Sequence, residues 1–140
     1  MLAAIAIAAL ALLTAGAGVA AAKTLEASMS GSKEVPRTGD SDGRGSATIK
    51  TSRKRGRVCY EIHLSKVGSV VAGHIHRGGR TAAGPVVVAL FAESARQPKG
   101  CVTGVSKSLI SEINRHPGRF YVNVHNQAHP DGAVRGQLHD

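Results

Sequence analysis

The stretch RVCYEIHLS, residues 57–65, decides the fold class. Apolar or aromatic residues occupy every second position of it, and a cysteine, a glutamate and a histidine stand between them. Side chains alternate between the two faces of a β-strand, so this pattern predicts a strand with one face turned toward a core. The alternating apolar residues are Val58, Tyr60, Ile62 and Leu64, and the intervening ones are Cys59, Glu61 and His63.

Similar short segments, separated by Gly, Pro, Asp and Ser, run along the rest of the chain. The apolar run PVVVALF, residues 85–91, predicts a strand that is buried on both faces or lies at the centre of a sandwich. Leu109, Ile110 and Ile113 at helical spacing predict one short helix over residues 106–116. About seven or eight short strands with one helix predict an antiparallel β-sandwich. The other predicted strands are residues 24–29, 46–51, 70–76, 101–105, 120–125 and 133–138.

The first 22 residues, MLAAIAIAALALLTAGAGVAAA, carry no charge and end in small residues before Lys23. This predicts a secretory signal peptide over residues 1–22 and one mature domain over residues 23–140, located in the periplasm or outside the cell. An uncleaved membrane anchor is the alternative, since about 20 apolar residues span a bilayer. The small residues favour cleavage, after which no membrane span remains. Because no basic residue precedes the run, the true start could also lie upstream.

Charge and composition restrict the function classes. The net charge of +9 favours acidic partners, such as envelope or extracellular polymers. Nucleic acid is excluded as a partner by the predicted export and by the scarcity of stacking residues, two Tyr and two Phe. The nine acidic residues are spread along the chain and no G-x-S-x-G motif occurs, which argues against a hydrolase. The chain is therefore expected to be a binding or structural module and not an enzyme.

The only two cysteines are Cys59 and Cys101. In an exported chain an even count predicts a disulfide, and two cysteines allow one intramolecular pairing. Two buried free thiols are the alternative.

The stretch GHIHRGG, residues 73–79, places His74 and His76 on the same face of a predicted strand. The same parity argument turns Asn123, His125 and Arg135 to the face away from the core. An i, i+2 histidine pair needs a third ligand from another strand to hold a metal, and His125 has the right parity. Three imidazoles with little carboxylate suit copper or zinc. The alternative is a hydrated sheet face on which histidines bond to neighbouring polar groups.

Read in order, several blocks of the chain resemble the chordin-type domain, the CHRD domain, over about residues 25–138. Two combined blocks carry most of the specificity. The first is HIHRG followed by GPVVV, and the second, later in the chain, is YVNVH followed by GAVRGQL. The resemblance implies a secreted all-β module that occurs as single copies in bacterial proteins. It implies little about chemistry.

The histidine pattern is also similar to the copper side of the Cu,Zn superoxide dismutases. That similarity implies an immunoglobulin-like or superoxide-dismutase-like sandwich, a copper site and a dismutase-like activity as the alternative function. It assigns His74, His76 and His125 as copper ligands and Arg135 as an anion guide. The further residues that it assigns are His63 as a candidate fourth ligand and the pair Cys59–Cys101 as the disulfide.

Overall fold

The computed structural model describes residues 22–140. The predicted signal peptide, residues 1–22, lies outside the described residues except for Ala22. Within residues 22–140, no helix has the length and apolar character that a membrane crossing requires. Eight strands and one α-helix follow in the order β1 Lys23–Ser30, β2 Arg44–Ser52, β3 Arg57–Ser65, β4 Ala72–Arg77, β5 Val86–Phe91, β6 Lys99–Val102, α1 Lys107–Arg115, β7 Phe120–His125 and β8 Val134–Gln137.

The eight strands form one sheet, in which every neighbouring pair is antiparallel. The strand order is β5-β4-β7-β8-β1-β2-β3-β6, so β5 and β6 are the edge strands. The sheet is nearly closed: the ring of Tyr60 on β3 stacks on the ring of Phe91 on β5, with centroids 5.8 Å apart. The all-β antiparallel prediction is confirmed, with the strands curled around one core.

Strands β1 to β5, β7 and β8 supply buried side chains to the core, Val102 of β6 packs against it partly buried, and α1 closes one end of it. Ile110 and Ile113 of the helix are completely buried. The helix begins where the sequence predicts, because the Ser106 hydroxyl accepts a hydrogen bond from the backbone N–H of Leu109.

Two details of the strand prediction are wrong. The apolar run of residues 85–91 predicts a strand that is buried on both faces or central, but β5 is an edge strand and Val86 is 48% exposed. Val88 and Leu90 of β5 are buried in the core, and Val87 and Phe91 pack against it while partly exposed. The strand predicted over residues 70–76 begins only at Ala72, and Val71, just before it, is 36% exposed.

The two cysteines form a disulfide, as predicted. Cys59 on β3 and Cys101 on β6 stand directly opposite each other in the ladder. The bond therefore ties the edge strand β6 to its only partner strand.

Candidate metal centre

The outward faces of three neighbouring strands, β4, β7 and β8, carry the polar residues that the parity argument singled out. His74 on β4 stands opposite Asn123 on β7, which in turn stands opposite Arg135 on β8. His125 follows Asn123 by two residues, so it extends from the same face of β7. The sheet thus brings together side chains from segments that are far apart in the sequence.

Two loops cover part of this face. Loop A, residues 31–43, and loop B, residues 78–85, lie over β7 and β8. Arg135 donates to the carbonyl oxygens of Gly79 (2.6 Å) and Ala82 (2.8 Å) in loop B, and it is only 1% exposed. Asn123 is only 3% exposed. Asn123 and Arg135 thus lie on the outward face of the sheet and are nevertheless buried.

The three predicted histidine ligands converge. His74 Nδ1 lies 3.1 Å from His125 Nε2, and the candidate donor nitrogens of His74, His76 and His125 all lie within 4.8 Å of one another. Two nitrogens that share a tetrahedral zinc ion at about 2.0–2.1 Å would stand about 3.3 Å apart. The three side chains are partly exposed, so an ion can reach them.

Backbone carbonyls set the proton positions on two of the rings. His76 Nδ1 lies 2.8 Å from the Gly84 carbonyl oxygen, and His125 Nδ1 lies 2.9 Å from that of Pro130. A carbonyl oxygen can only accept, so both Nδ1 atoms donate, and in the neutral ring Nε2 keeps its lone pair. Histidines that ligate metals usually have this arrangement. His76 Nε2 is buried and has no hydrogen-bond partner among the described residues.

The surroundings also favour neutral imidazoles. Burial, and then the charges of His125 and His76, lower the pKa of His74 to about 4. Burial is likewise the largest cause of the lowered pKa of His76. Both rings are therefore deprotonated at neutral pH, which is the form that a metal ion binds.

A stack of three planar groups connects Arg135 to the histidines. The ring of His76 lies parallel to that of Tyr121, with centroids 4.8 Å apart, and the guanidinium carbon of Arg135 lies 3.3 Å from the Tyr121 centroid. Because β4 and β8 flank β7, the two groups approach the tyrosine from opposite sides. Arg135 is thus separated from His76 by an aromatic ring, and its role as an anion guide stays a prediction.

His63 is not part of the cluster. It lies on β3, which is separated from β7 by β8, β1 and β2. Its side chain is 66% exposed, and its Nε2 lies 3.5 Å from a carboxylate oxygen of Glu61. The prediction of His63 as a fourth ligand is therefore wrong, because correct parity on the wrong strand does not bring a side chain to the site.

Sequence reasoning missed Glu34, which loop A places in the same polar layer. Glu34 is 5% exposed, and one of its carboxyl oxygens, Oε1, has no hydrogen-bond partner among the described residues. Burial raises its pKa to about 7, although the charge of Arg135 and a hydrogen bond from Asn123 oppose this. No periodic pattern surrounds Glu34, so the sequence offered no signal for its burial.

No curated protein and no solved structure matches the chain significantly. The family model described as the CHRD domain matches residues 25–138, which include the disulfide, all three clustered histidines and the two covering loops. The resemblance inferred from the sequence blocks is confirmed, and the chain belongs to the CHRD domain family.

Proposed function

We propose that this chain is an exported, non-enzymatic module that binds a copper or zinc ion through His74, His76 and His125. The observation that carries the proposal is the convergence of three imidazole nitrogens within 4.8 Å, on two neighbouring strands. The alternative for the same residues is a polar cluster that only bonds to itself.

The hydrogen-bond pattern favours the metal over a closed polar cluster. Leaving a buried donor or acceptor unpaired costs about 1–3 kcal/mol, and His76 Nε2 is such an atom. A metal ion would accept its lone pair together with that of His125 Nε2. A donor set of three nitrogens suits copper and zinc, whereas magnesium and calcium prefer oxygen donors.

Export is supported by the Cys59–Cys101 disulfide, since such bonds persist in oxidising compartments, and by the apolar segment at residues 1–22. The charge of +9 supports acidic polymers of the envelope or extracellular space as surroundings or partners. We do not extend the proposal to dismutase activity, because Arg135 is buried under loop B and its guanidinium already donates to loop carbonyls.

The test is a titration of purified residues 23–140 with Cu(II) and with Zn(II), followed by calorimetry and by electron paramagnetic resonance of the copper form. We expect one ion per chain and nitrogen hyperfine lines from imidazole. The double variant His74→Ala/His125→Ala should lose the site, whereas the matched control His63→Ala should keep it. Absence of stoichiometric uptake by the wild type, or uptake unchanged in the double variant, would contradict the proposal.

A further inference from the structure

We propose that the side-chain oxygen of Asn123 is the fourth ligand of this metal site and that Glu34 is the positioning residue that turns this oxygen toward the histidines. This inference rests on the proposed function. It adds an oxygen donor to the three nitrogens and a role for a buried carboxyl group that the histidine site alone does not use.

Asn123 occupies the middle of the polar face. It lies on β7, directly opposite His74 on β4, and its Oδ1 lies 3.2 Å from His125 Nε2. Hydrogen bonding to the Asn123 side chain also acts on the pKa of His74 and on that of His76, and it raises both. The Asn123 side chain thus contacts His125 and lies near the other two imidazoles.

With its N–H directed elsewhere, His125 supplies no proton for the contact between Asn123 Oδ1 and its own Nε2. A neutral imidazole carries one N–H, and that of His125 is directed from Nδ1 to the Pro130 carbonyl oxygen at 2.9 Å. The lone pairs of Asn123 Oδ1 and His125 Nε2 are therefore directed at the same space, which the Nδ1 of His74 borders at 3.1 Å from His125 Nε2. A metal ion in place of a proton there would take a lone pair from each atom.

Rotation of the Asn123 amide by half a turn would also relieve the contact, and Glu34 opposes that rotation. The Asn123 side chain is near enough to the Glu34 carboxyl group to act on its pKa as a hydrogen-bond donor, which lowers that pKa against the effect of burial. In its ionised form the Glu34 carboxylate only accepts, so the NH2 end of the amide then faces Glu34 and the oxygen end faces the histidines. Glu34 is 5% exposed, so the bond is shielded from competing water.

The backbone at residue 132 is shaped to receive this carboxyl group. Gly132 has φ +136°, and a Cβ atom built there would lie 2.5 Å from the Glu34 carboxyl carbon. Only glycine leaves this space open. Gly132 thus leaves space for Glu34 of loop A, and Glu34 lies next to Asn123, which contacts the histidine cluster.

The first experiment compares zinc affinity in Asn123→Leu, which removes the oxygen at nearly constant shape, and in Asn123→Asp, which keeps an oxygen in place. We expect Asn123→Leu to bind zinc 10- to 100-fold more weakly, the usual range for altered ligand surroundings, and Asn123→Asp to keep most of the affinity. Cobalt(II) absorption spectra of the same variants report the coordination number directly. Equal affinity and equal cobalt spectra in wild type and Asn123→Leu would overturn the inference.

The second experiment uses the wild-type chain and so does not depend on how a variant folds. In 15N,13C-labelled protein, zinc should shift the side-chain carbonyl carbon and NH2 signals of Asn123. Asn126, a buried asparagine whose Nδ2 donates to the Val67 carbonyl oxygen, is the matched control and should not shift. In Glu34→Leu the zinc-induced shift of Asn123 should shrink, because the amide is no longer held.

The two proposals fail in different ways. If wild-type protein takes up no zinc, the proposed function itself is wrong. If it takes up zinc through the histidines while the Asn123 signals stay unmoved, only the fourth ligand and the role of Glu34 are wrong.

Discussion

Replacing Glu34 with glutamine should stabilise the metal-free protein at alkaline pH and leave it nearly unchanged in acid. Burial raises the pKa of Glu34 from 4.5 to about 7. The folded chain therefore holds this proton more tightly than the unfolded chain does. Such a group stabilises the fold below its unfolded pKa, and that stabilisation is lost as the pH rises through the folded pKa.

The size of the effect follows from the two pKa values. One pKa unit corresponds to about 1.36 kcal/mol, so a rise from 4.5 to about 7 corresponds to about 3 kcal/mol between pH 4.5 and pH 8. Glutamine does not ionise and avoids this loss. We therefore expect Glu34→Gln to raise the free energy of unfolding at pH 8 by about 2–3 kcal/mol. This is less than the full effect of the pKa shift, because the new amide nitrogen needs an acceptor at the place where Glu34 Oε1 has no hydrogen-bond partner.

The assay is urea unfolding of residues 23–140, with a chelator present, at several pH values from 4 to 8 for both proteins. The exposed residue Glu93 supplies the matched control, and Glu93→Gln should show a flat difference from wild type. A difference for Glu34→Gln that is the same at every pH, or a loss of stability at pH 8, would refute the reasoning.

Three further predictions concern the fold and the site. Gly132→Ala should destabilise the protein by more than about 2 kcal/mol in thermal unfolding, because residue 132 has a positive φ and the added Cβ would contact Glu34. Gly118→Ala is the control and should have little effect, because its added Cβ meets open space. Reduction of the disulfide, or Cys59→Ser/Cys101→Ser, should cost about 4 kcal/mol in urea unfolding, since the bond closes a loop with a sequence separation of 42; an unchanged midpoint would contradict this. Zinc at 100 times its dissociation constant should add about 2.7 kcal/mol to the stability, EDTA should remove that gain, and His74→Ala/His125→Ala should show none of it.

The parts of the fold that follow from period-two patterning were predictable from the sequence. Residues 57–65 alternate cleanly and form β3 at the predicted bounds. The same rule placed His74, His76 and His125 on one face, because parity along a strand depends only on counting. The disulfide followed from the number of cysteines and the expected compartment.

Strand order was not predictable in the same way. Parity states which face a side chain takes, but the pairing of strands decides which side chains meet on that face. His63 has the outward parity, and yet three strands, β8, β1 and β2, separate its strand β3 from β7. The apolar run of β5 likewise resembles a central strand, yet the ladder leaves it at an edge.

The chemistry of the site depends most on the segments that pattern reading describes least. Three polar residues on an open sheet face would be solvated, and water would satisfy their donors and acceptors. Loop A contributes Glu34, and the carbonyl oxygens of loop B accept hydrogen bonds from Arg135. Under these loops, Asn123 is only 3% exposed and Arg135 only 1%. Burial lowers the pKa of His74 and raises that of Glu34, so the covering loops both free the imidazole lone pairs and dehydrate the carboxyl group. Removing the cover, for example by shortening loop B, should therefore weaken the metal site even though every histidine remains on its strand.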